Sequence, residues 1–84
     1  MLKCENTDIE YKGKTFHVQT EDWGADNPYL VTRIFSGGKV LSSIKTNYQS
    51  WLVLEQDLRD QKLKQVLFSQ HSEFVEKIKQ GYWY

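Results

Sequence analysis

Two histidines and one cysteine carry most of the reactive chemistry in this 84-residue chain: His17, His71 and Cys4. The densest stretch is His17-Val18-Gln19-Thr20-Glu21-Asp22. Strand alternation puts His17, Gln19 and Glu21 on one face, opposite Phe16 and Val18. If His71 approached that face, His17 and Glu21 could hold a small ligand or a divalent metal, or act as an acid–base pair. A zinc site takes three or four ligands, and the spacing here matches no ligand motif. No metal and no cofactor is therefore expected. The His17/Glu21 face with His71 stands as the alternative to a protein-interaction surface.

Other chemistry is sparse. Cys4 is alone, so no intrachain disulfide or cysteine zinc cluster is available. G-x-S-x-G, H-E-x-x-H, G-x-G-x-x-G and the phosphate-binding P-loop are all missing. An enzyme is not expected. Lysine plus arginine number 11, and so do aspartate plus glutamate. With no basic stripe to neutralise phosphates, nucleic acid is not expected as a partner. No apolar run approaches the length that crosses a bilayer, and the first ten residues lack the apolar core of a signal peptide. A cytoplasmic location, with no membrane partner, is the expectation.

The elements that must position these residues fall into two halves. Gly13, Gly24, Pro28, Gly37 and Gly38 punctuate the first, and no Gly or Pro follows until Gly81. Ile9–Tyr11 and Thr15–Glu21 alternate about a Lys12-Gly13 turn and predict a hairpin. Residues 23–28 predict a loop. Tyr29–Phe35 is rich in β-formers on both faces, as in a central strand. Ser36-Gly37-Gly38-Lys39 predicts a tight turn of type I′ or II′, with a fourth strand over Val40–Thr46. From Asn47 or Ser50, as the helix cap, the period becomes helical and runs to Gly81 at the C′ position. The expectation is α+β: a four-stranded antiparallel meander over 1–47, then one long C-terminal helix over 48–81, within a single domain of 1–84. A helical hairpin broken at Arg59–Lys62 is the alternative.

That helix shows two apolar faces out of phase. Trp51, Leu54 and Leu58 form the first, and are expected to anchor the helix to the sheet with Phe16 and Phe35. Leu63, Val66, Leu67, Phe74 and Ile78 form the second. A helix of about 30 residues is about 45 Å long. A domain this size spans only about 30 Å. The distal turns should then overhang the sheet and expose Leu67, Phe74 and Ile78. With the tail Tyr82-Trp83-Tyr84, these make an interaction surface for a second copy, as a homodimer, or for another protein. Aromatics at 14% of the chain fit a core plus such a surface.

The strand His17–Asp22, the Asn27-Pro28-Tyr29 step, the Gly37-Gly38 turn and Gln70-His71 ten residues before Gly81 resemble an uncharacterised family of short bacterial proteins. The resemblance covers about Ile9 to Gly81. It implies the strand–hairpin–helix order and no known activity. The aromatic end at residues 82–84 departs from that family's pattern.

Overall fold

The computed structural model describes residues 4–82. Four strands form one antiparallel sheet in the order β1-β2-β3-β4. They are β1 (Cys4–Tyr11), β2 (Lys14–Asp22), β3 (Tyr29–Ser36) and β4 (Lys39–Asn47). A short 3-10 helix, Gln49–Val53, leads into one α-helix, α1 (Gln56–Lys79). The meander and the single helix match the sequence expectation.

Both tight turns have positive φ at their two central residues, the type I′ pattern that suits the twist of hairpin strands. Lys12 and Gly13 have φ 49° and 82°, and Gly37 and Gly38 have 58° and 77°. Cross-strand register then fixes the faces. Ile9 lies opposite Phe16, Val18 opposite Ile34, and Thr32 opposite Ile44, all on the side of α1. The β3–β4 register shifts once, between Ile34 and Phe35, so Leu41 is an extra residue in β4.

Along α1, the buried residues Leu63, Leu67, Gln70, His71, Phe74 and Ile78 form one stripe at helical spacing. That stripe lies chiefly on β1 and β2. It divides into two apolar clusters. Phe74 and Ile78 pack with Phe16, Val18 and Ile34. Leu63 and Leu67 pack with Leu30 and Tyr48, with Trp51, Leu52 and Val66 at the margin.

These positions correct three expectations. First, the helix does not start at residue 48, and neither Asn47 nor Ser50 caps it. The Asn47 carboxamide oxygen instead accepts the Gln49 backbone N–H at 2.8 Å and starts the 3-10 turn. Leu54 and Glu55 are extended (ψ 149° and 145°) and separate the two helical segments. The phase change between the two apolar faces comes from that break, and Arg59–Lys62 is continuous helix. Trp51 and Leu54 precede α1, and Leu58 on its first turn is 56% exposed, so this trio does not anchor the helix.

Second, the C-terminal turns of α1 do not overhang the sheet. Leu67, Phe74 and Ile78 are buried, at 4%, 4% and 1% exposure. They belong to the core and do not form an exposed stripe. Twenty-four residues give α1 a length of about 36 Å. Phe74 and Ile78 pack on Phe16, Val18 and Ile34, so the C-terminal turns have sheet beneath them. Third, Phe35 sits on the face away from α1. Its ring is 6.0 Å from that of His17.

The C-terminus of α1 closes as expected. Gly81 (φ 79°) donates its N–H to the Ile78 carbonyl, and Tyr82 donates to that of Lys77. This is the Schellman arrangement with glycine at C′.

Truncating the core should cost far more than truncating the helix surface. Phe74→Ala is expected to lose about 3–5 kcal/mol. Phe68→Ala, at a 61% exposed position, should lose under ~0.5 kcal/mol. Urea unfolding followed by tryptophan fluorescence measures both, and equal losses would contradict the packing described.

Candidate functional site

The sheet separates the residues proposed as a ligand site. His17 and Glu21 lie on the outer face of β2, and His71 is buried on the inner side under α1. The alternation that joins His17 to Glu21 also turns both away from the helix. They cannot share a ligand with His71. Each has another partner. His17 Nδ1 is 2.6 Å from the Asp8 carboxylate, and Glu21 is 3.5 Å from the Arg33 guanidinium. Among the described residues, no group of three His, Cys, Asp or Glu converges as a metal site would.

His71 belongs instead to a polar belt that runs across the core between the two apolar clusters. Gln70 Nε2 donates to Thr32 Oγ1 at 2.8 Å, and Thr46 Oγ1 donates to Gln70 Oε1 at 2.6 Å. Thr32 and Thr20 hydroxyls are 2.8 Å apart. His71 Nδ1 is 2.8 Å from Thr20 Oγ1, and its Nε2 is 2.8 Å from Thr7 Oγ1. One threonine from each strand thus meets two consecutive residues of α1.

Counting protons assigns the direction of this belt. Thr32 receives from Gln70, so its own hydroxyl proton must go to Thr20. Thr20 then donates to His71 Nδ1, and His71 Nε2–H donates to Thr7. Every buried donor is used only if the ring is neutral. Burial pushes the His71 pKa below its usual 6.5, with His17 adding slightly and Glu5 opposing.

A second buried polar contact holds the 3-10 turn. The Tyr48 hydroxyl donates to Asp22 Oδ1 at 2.6 Å, and the Gly24 N–H donates to the same oxygen at 2.8 Å. Burial, then the Asp22 carboxylate, pushes the Tyr48 phenol well above its usual range. The Tyr48 N–H also reaches the Pro28 carbonyl at 2.8 Å. Tyr48 stacks on Trp51 with ring centroids 6.0 Å apart.

The surfaces left open lie elsewhere. Because α1 lies toward β1 and β2, the inner side of β4 has little above it. A groove of about 550 Å³ runs there between β4 and α1. Ile44, Val66 and Phe74 give it apolar walls, and Gln65, Glu73 and Lys77 stand at its rim. Val40, Leu41 and Ile44 on β4 are 54%, 41% and 38% exposed. On the outer face, Lys45 Nζ lies 4.9 Å from the Trp23 ring centre and Arg33 lies 5.5 Å from it. The sequence expectation names residues of α1 and the tail as a surface and none of β4. The run Val40-Leu41 on an edge strand is the signal for these exposed residues.

Of the tail residues, Tyr82 is 69% exposed, with Lys77 Nζ 5.5 Å from its ring centre. Trp83 and Tyr84 lie outside the described residues. Among the described residues, no helix is long and apolar enough to cross a membrane. Compared with family models, curated proteins and solved structures, the chain returns no match.

The belt and the tyrosine contact give measurable consequences. An unfolded histidine takes up a proton near pH 6.5 and folded His71 only at lower pH. Between those values the unfolded chain binds more protons. The stability from neutral His71 is complete above pH 6.5 and declines as pH falls through that window. The urea midpoint should therefore be lower at pH 5 than at pH 7.5, and His71→Asn should flatten the difference. An unchanged slope in that variant would refute the assignment. Tyr48→Phe leaves the Asp22 carboxylate short of a buried donor and should cost about 1–3 kcal/mol in the same assay.

Proposed function

We propose that this protein is a non-enzymatic protein-interaction module that docks another polypeptide on β4 and the groove beside it. The observation that carries this reading is the uneven cover of the sheet. A helix is about 10 Å across and strands lie about 4.8 Å apart, so one helix shields about two strands. α1 shields β1 and β2. Among the described residues, β4 keeps an unpaired backbone edge, exposed apolar side chains and a groove with an apolar wall. Unpaired edges accept an added strand, whose main chain supplies affinity and whose alternate side chains supply specificity. The groove would take those side chains that point inward.

The outer β1 edge is a poorer dock. Glu5, Asp8 and Glu10 give it three charges of one sign against two, Lys39 and Lys45, on β4, and α1 already covers its inner side. The earlier basis for a dimer through α1 is gone, since its apolar stripe is spent on the sheet.

A selection from a random peptide library on the folded protein tests this reading. Enriched peptides should alternate apolar residues, shift the amide resonances of Ser42–Asn47 and Val66, and lose binding at least tenfold to Ile44→Asp. Peptides that instead shift Trp23, Tyr29 and Arg33 would place the docking surface on the outer face and overturn the reading.

A further inference from the structure

Resting on the β4 docking surface, we infer that its occupant is β1 of a second copy of this chain, so that copies join head to tail through unlike edges. Three observations lead there.

The first is charge. β1 carries Glu5, Asp8 and Glu10 with no base, and β4 carries Lys39 and Lys45 with no acid. The edges are complementary to each other and each is repulsive toward itself. A symmetric β4–β4 pairing would bring lysine-bearing strands together, and β1–β1 pairing would do the same with carboxylates.

The second is direction and register. Strands alternate in the meander, so β1 and β4 run in opposite directions within one copy. Copies set side by side, each with α1 on the same side of the sheet, therefore bring β4 against the next β1 as an antiparallel pair. The inward residues must match: Ile44 and Thr46 on β4, Thr7 and Ile9 on β1. Setting Ile44 opposite Ile9 puts Thr46 opposite Thr7. The same register puts Lys45 opposite Asp8 on the outer face. It uses the part of β4 beyond its bulge at Leu41, where the ladder is regular.

The third is the groove. On α1, Phe68 lies one turn before His71, which reaches Thr7, and two turns before Val75, which packs against the same buried cluster as Ile9 and Tyr11. Phe68 is thus on the β1 flank of the helix and is 61% exposed. Joining the edges brings that flank toward the neighbouring copy's groove, whose 550 Å³ has room for a phenyl ring.

Such a contact is heterologous. Each added copy leaves one β1 edge and one β4 edge free, so growth continues past the dimer. Sheet twist of about 20–25° per strand turns each copy relative to the last and makes the product a helical array.

Sedimentation velocity from 10 µM to 1 mM, in about 20 mM salt, reads this directly. The wild-type chain should show a sedimentation coefficient that climbs with concentration and drops with added salt. Asp8→Lys and Lys45→Glu should each weaken association roughly tenfold, since each sets like charges opposite one another. The double variant, with the charges exchanged, should regain it. Both positions are on the outer face at an edge, so the variants keep the core. If Lys45→Glu weakens association and Asp8→Lys does not, β1 is not the occupant and the inference fails while the β4 surface stands. A wild-type monomer at 1 mM also overturns it. The docking reading itself falls only if the peptide selection maps elsewhere.

Discussion

The hydrogen-bonded belt from Thr7 through His71, Thr20, Thr32 and Gln70 to Thr46 is the constraint on which the arrangement of this protein depends. Apolar contacts alone would let a helix slide or roll on a sheet, because burial is non-directional. The belt removes that freedom. Gln70 and His71 are adjacent, so their side chains diverge by about 100° around the helix. One spans β3 and β4, and the other spans β1 and β2. Any shift of α1 would leave buried hydroxyls or the imidazole unpaired, at about 1–3 kcal/mol for each group. Its position toward β1 and β2 follows, and the open side of β4 follows from that.

Around the belt, the two apolar clusters have different duties. Phe16, Val18, Ile34, Phe74 and Ile78 close the end near the turns. Leu30, Tyr48, Leu63 and Leu67 close the end where the chain leaves the sheet. The second cluster includes the chain reversal itself. Tyr48 must drop into the core to reach Asp22, and Trp51 follows it. A helix running straight on from β4 could not do this and also lie back along β2. The extended pair Leu54 and Glu55 resolves that conflict.

Much of the fold was legible in the residues. Turn-forming Lys12-Gly13 and Gly37-Gly38, with alternation on either side, located the strands, and Gly81 marked the end of the helix. The start of α1 was not legible, because Leu54 and Glu55 carry no breaker signal and their extended backbone is imposed by tertiary packing of Tyr48 and Trp51. The expected exposure of Leu67, Phe74 and Ile78, which are buried, has the same origin. With the helix drawn too long, Leu67, Phe74 and Ile78 had no sheet beneath them. The belt was only half visible. Gln70 and His71 interrupt an apolar stripe, and Thr20 and Thr32 occupy inward positions of their strands. Pairing them needed the cross-strand register, which periodicity alone does not supply. His17 and Glu21 were placed correctly on one face, but the side to which that face turns depends on where the helix lies.

A double-mutant cycle on the belt tests this account most directly. Thr32→Val and Gln70→Leu, singly and together, should be compared by urea unfolding at pH 7.5. The account predicts that the double variant loses less than the two single losses combined, by about 1 kcal/mol or more, because each single change strands the other buried group. Losses that simply add would mean that Thr32 and Gln70 act independently, and would contradict the belt as the element that fixes α1 on the sheet.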